Sequence, residues 1–321
     1  MVESKTLRDN IYISRRGLLA GAAVLIATGG LARSQQTAKP LAVLASFSIL
    51  ADLAKQVGGE RVSVTALVGP NSDAHVYRAT PADAKRVKDA DVIVQNGLGF
   101  DAFMSRLIKS SGSKARSLIV TAGLKGIEKP KTSGHDHGHH HAHDHGKLDP
   151  HAWQSIEAAS LFVTNIRDGL IAADGAGTEI YRTNAKRYLA ELEKAKAEIT
   201  SILAAIPRDN RLAIANHDAF RYFTQDFGIR IEGTRGLSTE VEPSAKDIAR
   251  IVRIAREKKA KAVFLESIAD PRIASQLAKE SGAKLGGVLY SDALTDENGP
   301  APTYIAMMLH NARTLAEALK D

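Results

Sequence analysis

Short apolar runs rich in β-branched residues alternate along this chain with stretches whose apolar positions recur every three or four residues. In a first series the runs predict strands at Leu41–Ala45, Val62–Val68, Val92–Gln95 and Leu118–Val120, and the stretches between and beyond them predict helices at Ile49–Val57, Pro81–Lys88 and Phe100–Lys109. A second series predicts strands at Leu212–Ala215, Ile229–Ile231, Ala262–Glu266 and Leu285–Leu289, with helices at Ala219–Phe227, Pro243–Lys258 and Arg272–Ser281. Because alternating strands and helices favour βαβ units, we predict an α/β protein with two lobes, each a mainly parallel sheet flanked by helices.

One long helical pattern separates the two series. From Thr178 to Ile206 the apolar positions follow steps of three, four and seven residues, at Tyr181, Tyr188, Leu192, Ala195, Ile199, Ile202 and Ile206. Such a helix would span about 43 Å, and Pro207 predicts its end. We therefore expect an N-terminal lobe at 35–175, a linking helix at 176–207 and a C-terminal lobe at 208–321, whose last helix runs from about Pro302 to Lys320.

The first 34 residues have the features of an export signal. Basic residues precede an apolar, Gly- and Ala-rich core from Gly17 to Leu31, which is short for a membrane span. The small residues Ala32 and Ser34 predict cleavage after position 34. Arg15 and Arg16 resemble a twin-arginine signal, although an ordinary Sec signal can also hold two arginines. The sequence thus predicts a periplasmic protein.

Composition excludes several functional classes. The chain of 321 residues has 44% hydrophobic and 25% charged residues, which is typical of a globular protein. It has 0 cysteines, which excludes disulfides, thiolate zinc sites and cysteine nucleophiles. The net charge of +7 includes five basic and two acidic side chains in residues 1–34, so little basic excess remains for binding nucleic acid.

Histidine is concentrated in one segment. Seven of the 11 histidines lie in the sequence HDHGHHHAHDH, at His135, His137, His139, His140, His141, His143 and His145. The surrounding segment 125–147 is polar and predicts a loop that binds metal weakly and in many arrangements. A solvated linker or an engineered tag is the alternative, and the internal position with Asp136 and Asp144 argues against a tag.

Three of the other histidines occur in similar contexts. His75 lies in the loop after a predicted strand, His151 lies just before a helix, and His217 directly follows another strand. Asp292 also follows a strand, whereas His310 lies within a helix and is expected to be structural. Ligands of open α/β sheets bind at the carboxyl ends of strands. Three imidazoles and one carboxylate would form a four-coordinate site suited to zinc, with two ligands from each lobe.

Two further expectations concern this site. Metal binding requires neutral imidazoles, so the affinity for the metal should fall as the pH drops toward the ordinary histidine pKa of about 6.5. Hydrogen bonds from neighbouring polar groups should orient each ring. The candidates nearest in sequence are Asp73, Asp149 and Asn216.

Several long motifs resemble those of one protein family. They read GPNSDAHVYRATPADAKRVKDADVIVQNGLGFDAF, DPHAWQS, NHDAF and LYSDAL, accompanied by GLSTEVEPSAKDI and AVFLESIAD. The chain resembles the ZnuA-like solute-binding proteins of bacterial ABC importers, which bind zinc or manganese. The resemblance implies that His75, His151, His217 and Asp292 are the ligands, and that the long helix joins the lobes. It also implies that the protein is a monomer and that its partners are an ABC permease and a periplasmic zinc chaperone.

Position 217 separates the zinc and manganese branches. Manganese-type members carry a carboxylate where this chain has His217, and imidazole favours zinc. We therefore expect a non-enzyme that captures Zn²⁺ in the periplasm and delivers it to the permease.

Two other functions remain as alternatives. A secreted zinc hydrolase would need an open metal position and a base. No HExxH motif occurs, and Glu240 is expected at the cleft rim. A surface adhesin or zinc buffer would share the same binding chemistry.

Overall fold

The computed structural model describes residues 39–129 and 147–321, so the export signal and the seven loop histidines lie outside the described residues. Residues Pro40–Asp321 form one compact unit. The strands are β1 (Leu41–Phe47), β2 (Val62–Val68), β3 (Val92–Gln95), β4 (Arg116–Ile119), β5 (Leu212–Ala215), β6 (Arg230–Gly233), β7 (Ala262–Glu266) and β8 (Lys284–Leu289). The helices are α1 (Ser48–Gly58), α2 (Pro81–Asp89), α3 (Ala102–Ser111), α4 (Ile156–Ala173), α5 (Thr178–Ala204), α6 (Arg221–Phe227), α7 (Ala245–Glu257), α8 (Pro271–Ser281) and α9 (Tyr304–Leu319).

The strands form two parallel sheets with the same topology. The first lobe has strand order β2-β1-β3-β4 and the second has β6-β5-β7-β8. Every strand pairing in both sheets is parallel. In each sheet the chain order reverses beside the first strand, which places a ligand-binding crevice between β1 and β3 and between β5 and β7. The predicted two-lobed α/β fold is confirmed.

Helix α5 connects the two lobes, as predicted. It has 27 residues, which corresponds to a length of about 40 Å. Its buried face comprises Tyr181, Ala185, Tyr188, Leu192, Ala195, Ile199 and Leu203. The helix ends at Ala204, two residues before the predicted Ile206. Near this end Leu203 is buried, and Ile202 is partly buried and packs against the core.

The lobes share one apolar core. The larger cluster of buried residues includes Ile49 of α1, Tyr188 of α5, Phe220 just before α6, and Met308 of α9. A smaller cluster lies within the second lobe, where β5 and β7 pack against α7 and α8. Within the described residues, no helix is both long enough and apolar enough to cross a membrane.

Candidate metal centre

Four loops bring the predicted ligands to one place. His75 lies between β2 and α2, and His151 precedes the short 3-10 turn Ala152–Gln154 that leads into α4. His217 and Asp292 follow the carboxyl ends of β5 and β8. One potential ligand atom from each of the four residues lies within 4.8 Å of all the others. This cluster is the only such group of three or more His, Asp or Glu side chains in residues 39–129 and 147–321.

The spacing of the ligand atoms fits a four-coordinate ion. The Nε2 atoms of His75 and His217 lie 3.2 and 3.0 Å from Asp292 Oδ2. His151 Nε2 lies 3.4 Å from His75 Nε2 and 4.0 Å from Asp292 Oδ1. Bonds of 2.0–2.1 Å in a tetrahedral zinc site place neighbouring ligand atoms about 3.3 Å apart. The cluster thus has nearly the dimensions of a zinc site.

Several buried polar atoms of the cluster have no hydrogen-bond partner among the described residues. The side chains of His151, His217 and Asp292 are fully buried, and that of His75 is 7% exposed. Among the described residues, both ring nitrogens of His217 and both carboxylate oxygens of Asp292 lack a partner with hydrogen-bond geometry. Buried polar atoms are nearly always satisfied in folded proteins. A bound cation would satisfy the atoms that face the centre.

Carboxylates orient two of the three imidazoles. Asp149 Oδ1 lies 2.8 Å from His151 Nδ1; since a carboxylate accepts, Nδ1 carries the proton and Nε2 offers its lone pair to a metal. Glu266 Oε2 lies 2.6 Å from His217 Nδ1, and Oε1 accepts a hydrogen bond of 2.9 Å from the His217 backbone N–H. Asp73 contacts His75 at the backbone and not at the ring, because its Oδ1 accepts the His75 backbone N–H at 2.8 Å. Asn216 does not take the predicted role, because its side-chain amide has no hydrogen-bond partner among the described residues.

Sequence analysis missed Glu266, although a signal for it was present. It is the last residue of β7, the strand that pairs with β5. His217 and Glu266 therefore meet at the crevice where the strand order of the second sheet reverses. The close approach of β6 to this point requires Gly233, because a Cβ there would lie 2.4 Å from the His217 carbonyl carbon.

Neighbouring charges in the buried cluster shift the pKa values of His217 and Asp292. Burial would lower the pKa of His217, but Glu266 and Asp292 outweigh it and hold that pKa well above its usual value. Burial would raise the pKa of Asp292, yet the neighbouring imidazoles of His217 and His75 hold it well below its usual value. Burial lowers the pKa of His151, against the opposing effect of Asp149. The cluster therefore favours an ionised Asp292, which is the form that binds a metal.

Aromatic rings wall the cluster on the first-lobe side. The Phe100 ring centroid lies 4.8 Å from that of His75, and the Trp153 centroid lies 5.2 Å from that of His151. Phe47 packs against both aromatic residues, with its centroid 5.0 Å from each. These apolar contacts keep water from the inner side of the cluster and fix the ring planes.

A cavity leads from the surface to the cluster. It has a volume of about 580 Å³, and His75 is the one residue of the cluster that lines it. Glu240 also lines this cavity and is exposed, in agreement with its expected place at the rim. His310 lies outside the cluster, and its Nε2 is 3.0 Å from the carbonyl oxygen of Val288.

Comparisons with known proteins agree with the fold. Residues 43–318 match the family model ZnuA, described as zinc-uptake complex component A, periplasmic. The iron-binding protein YfeA of Yersinia pestis is 32% identical over 91% of this chain and 91% of its own length. The manganese-binding lipoprotein MntA of Bacillus subtilis is 33% identical over 95% of this chain and 100% of its own. The structure of the periplasmic zinc-binding protein TroA of Treponema pallidum matches with a TM-score of 0.80 and 25% identity, covering 88% of this chain and 100% of that one.

Proposed function

This chain belongs to the ZnuA family and is a metal-binding substrate-binding protein of an ABC importer, and we propose that its substrate is Zn²⁺. His75, His151, His217 and Asp292 bind the ion between the two lobes, and the loaded protein delivers it to the import permease. The single observation that carries this proposal is the buried group of three imidazoles and one carboxylate whose potential ligand atoms all lie within 4.8 Å of one another.

The donor set is the reason for choosing zinc. Relatives of this chain are named for iron, manganese and zinc, so membership of the family does not select the metal. Imidazole binds zinc well, whereas manganese prefers carboxylate, carbonyl and water oxygens. Three nitrogen donors in a buried site that provides four protein ligands therefore favour zinc.

The same geometry argues against zinc hydrolysis. A catalytic zinc keeps one coordination position for water. Here the fourth position is filled by Asp292, whose side chain is fully buried. Glu240, the carboxylate at the cavity rim, is exposed and outside the cluster. A role in transport accounts for a site with four protein ligands.

The histidine-rich segment has a role separate from that of the buried site. The seven imidazoles from His135 to His145 collect zinc weakly and pass it to the buried site by ligand exchange. Support comes from the composition of the segment and from its attachment: Glu128 and Leu148 form an antiparallel bridge, and His151 follows three residues later.

Location and partners complete the proposal. Residues 1–34 direct export to the periplasm, by the twin-arginine route, and are then removed. The protein works as a monomer that meets the permease and, in addition, a periplasmic zinc chaperone. These expectations rest on the sequence of the signal and on the family to which the chain belongs.

Chelator competition with single-ligand variants tests the site. His75→Ala and His151→Ala should each weaken zinc binding about 100-fold or more, because four ligands share roughly 10–16 kcal/mol, or about 3 kcal/mol each. His310→Gln is the matched control, since His310 contacts the Val288 carbonyl and not the cluster. Wild-type affinity in both alanine variants would exclude this site.

A further inference from the structure

The two first-lobe histidines share a local arrangement. Asp73 and Asp149 each lie two residues before a histidine, and each accepts that histidine's backbone N–H with Oδ1, at 2.8 Å for His75 and 3.0 Å for His151. The turn formed in this way fixes the backbone from which each imidazole projects. Each aspartate thus controls the position of one ligand.

The second oxygen of each aspartate is bound by the opposite lobe. Thr239, in the loop between β6 and α7, donates its hydroxyl to Asp73 Oδ2 at 2.5 Å. Arg221, the first residue of α6, donates Nη1 to Asp149 Oδ2 at 3.3 Å. We call these two contacts, Asp73–Thr239 and Asp149–Arg221, the latches.

Thr239 is held within the second lobe, and Arg221 makes a further bond across the lobes. Thr239 is 7% exposed, and its carbonyl accepts a hydrogen bond of 2.9 Å from the buried Arg235. Arg221 Nη1 also donates to the carbonyl of Glu128 at 2.8 Å, beside the base of the histidine-rich segment. The latches therefore connect ordered parts of both lobes.

We propose that the latches couple the separation of the lobes to release of the metal. When the lobes move apart, each aspartate loses its second-lobe partner and is free to turn, so His75 and His151 lose their fixed positions. This inference rests on the proposed function, because it requires that these histidines bind the ion.

The second-lobe ligand His217 is held differently. Its backbone and its ring both contact Glu266, which lies in the same lobe. Separation of the lobes leaves that contact intact. Release is thus ordered: the first-lobe histidines let go of the ion while His217 and Asp292 still hold it.

Zinc dissociation into excess chelator, followed by stopped flow, tests the latches. Thr239→Val and Arg221→Met remove the donors and keep most of the side-chain volume. Each should speed zinc dissociation about tenfold. Loss of a group that orients a metal ligand typically weakens metal binding about 10- to 100-fold, and the expected change is at the lower end of that range. The conservative variants Thr239→Ser and Arg221→Lys should restore most of the wild-type rate.

Matched controls remove the same groups elsewhere. Thr224→Val deletes a hydroxyl that donates to the Ile229 carbonyl, and Arg313→Met deletes a guanidinium paired with Glu198. Both controls should dissociate at the wild-type rate. The melting temperature of each metal-free latch variant should fall no further than that of its matched control, because both remove the same kind of hydrogen-bonding group.

The possible results separate this inference from the function on which it rests. Wild-type protein that binds no zinc tightly would overturn both. Tight wild-type binding with latch variants that behave like the controls would overturn the latches alone. Metal-free latch variants that melt well below their matched controls would assign these contacts to folding and also overturn the latches.

Discussion

At the scale of single residues, the choice of metal depends on His217, whose two ring nitrogens face two different carboxylates. Nδ1 lies 2.6 Å from Glu266 and Nε2 lies 3.0 Å from Asp292. A carboxylate at this position would make the donor set two imidazoles and two carboxylates, which is harder in character. A carboxylate at this position would also repel the neighbouring carboxylate of Glu266, whereas a protonated imidazole carries a positive charge that attracts it.

We predict that His217→Glu narrows the preference for zinc over manganese. Zinc loses a favoured imidazole nitrogen, whereas manganese gains a carboxylate oxygen. Direct competition between the two ions, measured by metal content after dialysis, checks this ratio. The wild type is expected to take zinc, and preferential uptake of manganese by the wild type would contradict the assignment.

A second substitution serves as the control for this experiment. Glu266→Gln in the His217→Glu background removes repulsion between two buried carboxylates. It should raise the affinity for both metals together and leave the ratio unchanged. If the ratio of bound zinc to bound manganese returned to the wild-type value, then repulsion between the carboxylates, and not the donor set, would explain the changed metal preference.

The sequence predicted the four proposed ligands, but not all of the residues that hold them. His75, His217 and Asp292 were identifiable because each follows a strand, a position set by local pattern. Asp149 was a candidate because it is near His151 in the sequence. Thr239 is 166 residues from Asp73, and no local pattern indicates such a contact. Only the packing of the lobes brings them together.

At the scale of elements, the junction between α4 and α5 is fastened by Asp174. Its carboxylate accepts Nε and Nη2 of Arg61 at 2.8 and 3.0 Å and the hydroxyl of Tyr181 at 2.7 Å. Burial raises the pKa of Asp174, but the bonds from Tyr181 and Arg61 outweigh it, so the pKa is below its usual value. The ionised carboxylate thus ties the start of the long helix to the first lobe.

We predict that Asp174→Asn destabilises the protein by about 1–2 kcal/mol at neutral pH. A carboxyl whose folded-state pKa is lowered stabilises above its unfolded-state pKa of about 3.9. That contribution is lost as the pH falls through the lower folded-state pKa. Chemical denaturation at pH 7 should show the difference, which should shrink steadily below about pH 4.

The neighbouring ion pair provides the control for Asp174. Asp168 pairs with Arg167 at 2.8 Å, but its side chain is 59% exposed. Exposed pairs contribute about 0–1 kcal/mol, so Asp168→Asn should change the stability little at any pH. Equal effects of the two substitutions would show that the bonds of Asp174 add nothing beyond a surface pair.

Element boundaries were predicted less well than the elements themselves, for reasons visible in the chain. Helix α5 ends at Ala204, two residues before Ile206, which Pro207 biases away from helical backbone. Strand β4 begins at Arg116, earlier than predicted, because it is an edge strand with mostly exposed side chains and carries little apolar signal. The first limit follows from a local backbone restriction, and the second follows from the position of the strand in the sheet.

The residues on either side of the histidine-rich segment are paired with each other. The N–H of Lys129 donates to the Lys147 carbonyl at 2.8 Å, and that of Asp149 donates to the Ile127 carbonyl at 2.7 Å. We predict that deleting residues 134–146 lowers the number of zinc ions that the protein binds in addition to the one at the buried site. The affinity of the buried site should stay unchanged. Calorimetric titration of the deletion variant beside the wild type measures both quantities.

A variant of full length separates the imidazoles from the length of the segment. Replacing the seven histidines by asparagine should reproduce the lower stoichiometry of the deletion. A large loss of affinity at the tight site in the deletion alone would contradict the collecting role and indicate that the segment closes over the cavity as a lid.

At the scale of the whole molecule, export precedes every other step. We predict that replacing Arg15 and Arg16 together by lysine leaves the precursor in the cytoplasm, because the twin-arginine route requires that pair. Arg8→Lys is the control outside the pair. Cell fractionation and the size of the protein check the outcome, and normal export of the double variant would point to the Sec route.

The two-lobed fold followed from the sequence, whereas the contacts between the lobes did not. Alternating strands and helices appear twice in the chain, and this repetition produced two sheets with the same strand order. The shared core that includes Ile49 and Met308 arises from residues far apart in sequence. The sequence pattern around each residue indicates that it is buried, but it does not indicate which residues pack against it.

The position of Trp153 gives the molecule an optical reporter of its own. It is the one tryptophan of the chain, and its indole N–H donates to the Ser291 carbonyl at 2.7 Å, across the lobes and next to Asp292. Its ring also contacts that of His151. Since indole emission responds to hydrogen bonding and to nearby charge, we expect the wavelength and intensity of tryptophan emission to change when the centre binds a metal and when the lobes separate, in unlabelled protein and in real time.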